Sequence, residues 1–335
     1  MPVVSIGDMS QQFMSLKNGG AIKSDLARLG QELSTGKVAD ITAQLGGDTR
    51  QFSGIVYSLN VLDAYRVAAN ETATILDQMQ IALGRIDQSR SDTADALLLV
   101  SGQSQAQQID QAGDIARLAF DDMVNSLNGQ FAGRMLFGGV EVQTPPLADP
   151  QIMLDDILAT IGGAVTTDAV LQVVDDWFND PAGGFATVGY QGDTGDAPTR
   201  RIADNLEIDV DVRADDQAIR DLLKAGALGA IMSDLTSNLT QLDRGNLLQR
   251  AGLDLLGVSG STVEIQGQLG NLQSIVATGQ TRLETERATL SIAQNTMETA
   301  DPFETATRLE AVQAQLETHF IVTSRLSQLS LVEYI

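Results

Sequence analysis

The sequence predicts a mainly α protein. Two long helical arms, one from each end of the chain, lie antiparallel as a rod or coiled coil, with a small α+β insert in the middle. Three observations predict this: the placement of proline, a seven-residue rhythm of apolar side chains in the arms, and negative charge concentrated between them. Five of the seven prolines (Pro145, Pro146, Pro150, Pro181, Pro198) lie in one 54-residue window. None occurs between Val3 and Thr144 or between Thr199 and Asp301. Proline inside a helix costs about 3 kcal/mol or more, so only the flanks can hold long helices. Residues 141–220 carry 16 acids and 4 bases, a net of −12, about half of the chain's −23.

Near the N-terminus Ile22, Leu26, Leu29 and Leu33 follow a 4-3-4 spacing, the stripe of an amphipathic helix. It runs out at Ser34-Thr35-Gly36, where glycine suits a helix stop. The first arm then steps by sevens through Ile55, Leu62, Ala69, Leu76, Leu83, Arg90 and Leu97, with Leu59, Ala73, Met79 and Ile86 beside them. The second arm steps through Leu269, Val276, Leu283, Leu290 and Met297, with Leu272 and Ala293 between. A repeat of seven puts a seam along one side of a helix, and that seam must face another helix. Arg66, Arg90 and Glu286 fall on or beside it as faults. If residues 55–128 formed one helix, Gly84, Gly102 and Gly113 would be its weak points, at about 1 kcal/mol each against alanine.

In the middle, residues 152–158 and 170–178 read as short helices and Pro181-Ala182-Gly183-Gly184 as a turn. Leu206, Ile208, Val210 and Val212 alternate with Glu207, Asp209 and Asp211, the period of a half-buried strand. A helix is expected from Gln217. At the far end Asp301-Pro302-Phe303-Glu304 is a helix start, with a capping acid, proline in the first turn and a glutamate three residues after the cap. Leu309, Val312, Leu316, Phe320, Leu326 and Leu329 follow, and Leu331, Tyr334 and Ile335 keep the end apolar. The expected organisation is terminal helices over 1–45 and 300–335, a rod over 46–140 and 220–299, and an acidic insert over 141–219.

Composition removes several function classes. With 21 Lys and Arg against 44 Asp and Glu, and no basic run, the chain lacks the field that phosphate-backbone binding or an anionic membrane surface requires. Neither nucleic-acid binding nor membrane insertion is expected. Without cysteine there are no disulfides, thiolate metal sites or cysteine nucleophiles. No basic and apolar leader opens the chain, and no stretch approaches the roughly 20 apolar residues of a membrane span. Aromatic residues are only 4%, so the seams must be aliphatic.

Candidate chemistry is sparse. His319 is the only imidazole and sits at helical spacing between Leu316 and Phe320, which favours a structural or surface helix residue over a triad member. Gly189, Gly192 and Gly195 lack the strand–glycine loop–helix context of a nucleotide site and read as a turn connecting strands. Asp209 and Asp211 share one strand face, and Asp215 and Asp216 make no calcium loop, so a solvated acidic face is the simpler reading. Trp177 and Phe178 read as the core of the insert. No catalytic residue, cofactor site or metal site is expected.

Four segments carry a family resemblance. Gln31-Glu32-Leu33-Ser34-Thr35-Gly36-Lys37 resembles the N-terminal LSTG or LSSGK segment of the flagellin family of bacterial axial proteins. Gly133-Arg134-Met135-Leu136-Phe137-Gly138-Gly139 resembles that family's GRYLFGG segment. The run from Asp301 to Leu309 resembles its C-terminal helix entry. The tail from Ser327 to Ile335 is similar to the SQLSLLDYL ending of the hook–filament junction branch. After Lys37 the sequence departs from the family's PSDDP-like loop.

The resemblance implies an extracellular structural subunit with no enzymatic activity, exported uncleaved through the flagellar type III channel with an export chaperone. It implies self-assembly into a ring or helical layer through the terminal coiled-coil helices. A hook-associated protein would lie on the hook side and flagellin or another junction subunit on the filament side. The acidic insert would point outward. On this reading the assembly interface comprises Ile22, Leu26, Leu29, Leu33, Leu309, Val312, Leu316, Phe320, Leu326, Leu329, Leu331 and Tyr334. Filament flagellin itself is the nearest alternative. A ligand-binding or hydrolytic acidic module on a helical stalk is a more distant one.

Overall fold

The computed structural model describes residues 6–332 and is mainly α, with ten α-helices and two small antiparallel hairpins among those residues. The chain packs as two units. One comprises residues 1–62 and 285–335, the other residues 63–284. Two long helices, α3 (Arg50–Leu98) and α9 (Ser259–Glu298), contribute to both.

In the first unit α1 (Ile6–Thr35) packs against α10 (Pro302–Val332). The short α2 (Ile41–Gln44) is capped by Asp40, whose carboxylate accepts from the Ala43 amide at 3.0 Å.

In the second unit α3 and α9 run antiparallel. Arg90 donates to Ser259 at 3.3 Å, Thr262 to Asp87 at 3.4 Å, Gln273 to Asp77 at 3.4 Å and Gln280 to Asn70 at 2.9 Å. As one number rises the other falls. This register sets the apolar steps of seven at matching levels, Leu83 with Leu269, Leu76 with Val276 and Ala69 with Leu283. All six are buried. Arg66 and Glu286 prove to be exposed and lie off the seam.

Arg90, the remaining fault, is buried and has a role of its own. The seam runs off the start of α9 here and meets the end of α8 (Gln241–Gly257). The Arg90 guanidinium donates to the Leu255 carbonyl at 3.0 Å and pairs with Asp87 at 2.8 Å. A cation is favoured at a helix C-terminus, where the last carbonyls are unpaired and the dipole is negative.

The single helix considered over 55–128 is in fact two. α3 ends at Leu98, and α4 (Ala106–Leu127) starts after a loop that contains Gly102. A Cβ on Gly102 would collide with Leu242, and one on Gly245 would lie 2.5 Å from the Ser101 carbonyl oxygen. Close approach of α8 to this loop needs both glycines. Gly84 and Gly113 stay helical. α4, α7 (Gln217–Ala230) and α8 then pack together around Leu97, Phe120, Met123, Leu223 and Leu248.

α4 and α7 approach closely where Gly229 meets Ala116. A Cβ on Gly229 would lie 2.8 Å from that of Ala116 and 3.2 Å from Leu97 Cδ1. Gly229→Ala is therefore expected to lose about 1–2 kcal/mol, because overpacking outweighs the gain in helix propensity. Chemical denaturation of the variant reads this directly, and a gain in stability would contradict the packing argument.

The insert contains α5 (Pro150–Ile161) and α6 (Thr167–Asn179), where short helices are expected. Asp149 caps α5, accepting from the Gln151 amide at 2.9 Å, with Pro150 at the first turn. Trp177 and Phe178 form the aromatic core with Phe185, their own rings edge to face at 4.7 Å. The indole N–H donates to Asp156 Oδ2 at 2.7 Å. Asp156→Ala is expected to cost about 1–2 kcal/mol by leaving that buried donor unpaired, measurable as a lower urea midpoint. An unchanged midpoint would mean that water replaces the carboxylate.

The strand expected over 206–212 is shorter. β4 (Leu206–Asp209) pairs with β3 (Thr199–Ala203), which the sequence reading missed. Val210 and Val212 are buried beyond the ladder. β1 (Gln130–Phe131) and β2 (Arg134–Met135) form a second hairpin, turned by Ala132 and Gly133, both at positive φ.

Candidate assembly interface

The expected interface residues of the two ends belong to α1 and α10. Three contacts define how these helices meet. His319 Nε2 lies 3.0 Å from the Ser15 carbonyl oxygen, the Lys37 and Thr299 backbones form an antiparallel bridge, and the Ala300 amide donates to the Gly36 carbonyl at 3.0 Å. The helices are therefore antiparallel, with the chain start beside the chain end.

On α1 the inward positions are Ile22, Leu26, Leu29 and Glu32. On α10 they are Thr305, Leu309, Val312, Leu316 and His319, spaced 4-3-4-3. The 15-to-319 and 37-to-299 contacts set Ile22 level with Val312 and Leu26 level with Leu309. Ile22 and Leu29 are buried, while Leu26, Leu309, Val312 and Leu316 are half-buried.

Two expected residues lie outside this seam. Leu33 is 42% exposed and Phe320 53% exposed. At the end of α1 the inward place goes to Glu32, which accepts from the Ala39 amide at 3.0 Å and from Arg28 at 3.1 Å. On α10 it goes to His319, which faces Gly19, where a Cβ would come within 3.0 Å of the imidazole. A carbonyl only accepts, so Nε2 carries the proton that meets Ser15. Phe320 instead lies under the Lys23 ammonium, 5.6 Å from the ring centroid. Leu326, Leu329 and Leu331 fall on the last turns of α10, where only the backbone is described, and Tyr334 lies outside the described residues.

The junction of α9 and α10 ties α1 down. The Lys37 ammonium pairs with Glu298 at 2.8 Å, and the Val38 amide donates to the Glu298 carbonyl at 2.8 Å. The hydrogen bond from Lys37 holds the Glu298 carboxyl below its ordinary range. At the start of α10 the Asp301 carboxylate caps the helix, accepting from the Phe303 amide at 2.8 Å and the Glu304 amide at 3.1 Å.

The pair leaves much apolar surface uncovered. Met9, Phe13, Met14 and Leu16 on α1 are exposed, as are Phe303, Phe320, Ile321 and Val322 on α10. Scattered single apolar residues are ordinary on a surface; here these eight large ones lie on one helical pair.

The acidic and glycine motifs of the insert have structural partners. Asp209 accepts from the Thr199 hydroxyl at 2.6 Å, and Asp211 and Asp215 flank Arg213 at 3.7 and 3.6 Å. Asp216 is pushed above its ordinary range, chiefly by burial. Gly189 ends a single π-helical turn (Phe185–Gly189) and packs on Trp177, where a Cβ would sit 3.1 Å from the indole. Gly192 and Gly195 follow it in the approach to β3, so this glycine run joins a helical turn to a strand rather than two strands. Among the described residues no group of three His, Asp or Glu side chains could hold a metal ion. No helix among them is long and apolar enough to cross a membrane.

Residues 260–335 match the family described as the bacterial flagellin C-terminal helical region. No curated protein matches the chain. Among solved structures, the chain is similar to a protein assigned as a flagellar hook-associated protein of Vibrio parahaemolyticus, at 15% identity and a TM-score of 0.49, over 73% of this chain and 95% of that one. It is also similar to FlgL of Bacillus cereus, at 16% identity and a TM-score of 0.48, over 72% of this chain and 98% of that one. The family match takes in the second half of the α1–α10 pair and most of α9.

Proposed function

We propose that this chain is a structural subunit of the bacterial flagellum that joins hook to filament, and that it assembles through its two ends. The observation that carries the reading is the antiparallel α1–α10 pair, built from the two chain ends and bearing exposed Phe13, Leu16, Phe303 and Ile321. A surface of that kind is stable in water only when copies or neighbours cover it. The match of residues 260–335 to the flagellin C-terminal helical region supports a flagellar setting.

On this reading the terminal segments 1–45 and 300–335 are the assembly region, and 46–140 with 220–299 form the body. The acidic insert 141–219 faces outward, where its charge aids solubility. The subunit forms a ring or helical layer outside the cell, between a hook-associated protein and flagellin or another junction subunit. It reaches that place by type III export with a chaperone, and it catalyses no reaction. The interface residues are Ile22, Leu26, Leu29, Leu309, Val312 and Leu316 within the pair, with Leu33, Phe320, Leu326, Leu329, Leu331 and Tyr334 contributing to contacts between subunits.

A strain lacking the gene tests the reading. Intact hooks with flagellin released into the medium are expected, and immunogold labelling of the wild type should mark only the hook–filament boundary. Label along the whole filament would instead identify a filament subunit. Normal filaments in the deletion strain would exclude both roles.

A further inference from the structure

Cations in this acidic chain generally find carboxylates. Arg90, Arg117, Arg201, Arg244 and Arg250 each have an acidic oxygen within 2.9 Å. Others have none: Arg85 and Arg282 stand exposed on helices, but Arg134 and Arg200 share one cleft. Neither guanidinium makes an ion pair or hydrogen bond to a described residue. Arg200 stands opposite buried Ile208 in the ladder and so shares its face, whereas Arg201 points the other way and pairs with Glu207 at 2.7 Å. Arg134 opens β2 and is exposed.

Both arginines line one small cleft, whose cavity volume is about 30 Å³. Phe131, Leu136, Val142 and Pro198 form its apolar surround. Burial and the like charge of Arg134 lower the proton affinity of Arg200, while Glu71 opposes this from beyond ion-pair distance. Two cations lining one partly apolar cleft form an arrangement that an anion stabilises.

We propose that Arg134 and Arg200 form a carboxylate-binding site, and that the carboxylate it takes is an Asp or Glu side chain of a second copy of this chain. The cleft is far below the several hundred Å³ of a drug-sized ligand pocket and suits a group the size of a carboxylate. Guanidinium forks match the two oxygens of that group, and apolar walls strengthen the charge-assisted hydrogen bonds. The occupant follows from charge. A copy carrying 44 acids and a net −23 repels its neighbours over most of its surface, so contacts between copies are best registered where two cations without a partner lie together. The identity of the occupant rests on the proposed self-assembly. The site itself does not.

The experiment uses the full-length chain and Arg134→Ala, Arg200→Ala and the double variant. NMR follows the arginine Nε–Hε signals of the unassembled protein while N-acetylglutamate methylamide is added, with inorganic phosphate at matched ionic strength as the second arm. Two signals, each absent from one of the single variants, should move saturably with the glutamate probe, and the signal that remains in each single variant should move far less. The double variant should also need at least a tenfold higher concentration to assemble, with an unchanged melting temperature. No saturable shift with the glutamate probe overturns the site, whether or not the chain assembles. Binding of phosphate at least tenfold tighter overturns the carboxylate assignment. Probe binding together with unaltered assembly overturns the second copy as occupant, and probe binding in a chain that never self-assembles does the same while locating the failure in the proposed function.

Discussion

Leu316→Asp abolishes assembly while leaving the unit of residues 63–284 folded: that is the expected result for the half-buried leucine in the middle of the α10 seam. An ionised carboxylate there would be set into the inward face of the pair. Its neighbours across the pair are Ser15, Gly19 and Ile22, at the level set by the His319 contact. Leaving a charge in such a place costs several kcal/mol, and each 1.4 kcal/mol is about a tenfold change in association. The concentration needed for assembly should rise by roughly 100-fold or more. Sedimentation shows the loss of polymer, and circular dichroism should report most of the helix content intact, since the unit of residues 63–284 does not use Leu316. Wild-type assembly by this variant would mean that the α1–α10 seam is not what copies depend on. Phe320→Asp separates the two roles of α10. It sits on the outer face, so it should impair assembly with a smaller effect on the pairing of α1 with α10.

Arg90→Ala should produce the largest loss of stability of any polar substitution in the second unit. The guanidinium is 5% exposed and serves α3, α8 and α9 together. Alanine would leave the Leu255 carbonyl at the end of α8 without its cation and Asp87 without its ion pair. Breaking a fully buried ion pair from one side costs about 3–5 kcal/mol, and Asp87 is one-third exposed, so about 2–4 kcal/mol is the expected loss. Urea denaturation of wild type and variant measures it. Arg90→Lys should recover only part, because one ammonium cannot reproduce the three directions of the fork. A loss below about 0.5 kcal/mol would show that water replaces the guanidinium.

Arg90 also shows what an apolar rhythm can and cannot tell. Counting apolar residues in sevens located the seams of α3 and α9, because a seam between two helices is a property of spacing; the levels at which they meet come from the contacts between them. The same count marks Arg90 as a fault, because it has no means of knowing that a third helix ends there. Proline placement kept long helices out of residues 141–198 for a comparably simple reason, the missing amide and fixed φ; the helices there are the short α5 and α6. The loop between α3 and α4 was hidden because its cause is tertiary. Gly102 is needed for the approach of α8, and helix propensity alone allows a helix to run through it.

The α1–α10 seam was legible in part for a related reason. Ile22, Leu26, Leu29, Leu309, Val312 and Leu316 are apolar and therefore visible to a periodicity argument. Glu32, Thr305 and His319 hold equivalent inward positions with polar side chains, Glu32 kept there by Arg28 and the Ala39 amide and His319 by the Ser15 carbonyl and Gly19. Leu33 and Phe320 were chosen in place of Glu32 and His319 because they are hydrophobic and lie one residue away, which on a helix is a rotation of 100°. β1 and β2 are two residues each and β3 contains two arginines, so these three lack the alternating pattern that marks β4 as a strand.

The chain has one tryptophan and one histidine, and they lie in different units. Trp177 is enclosed with Phe178 and Phe185 in the insert, and His319 closes the α1–α10 pair against Gly19. Each unit therefore carries its own built-in reporter, needing neither labelling nor resonance assignment. Indole fluorescence follows only residues 63–284, and the lone imidazole proton signal follows only the paired ends. A single titration observed both ways yields two separate unfolding curves from one unmodified molecule.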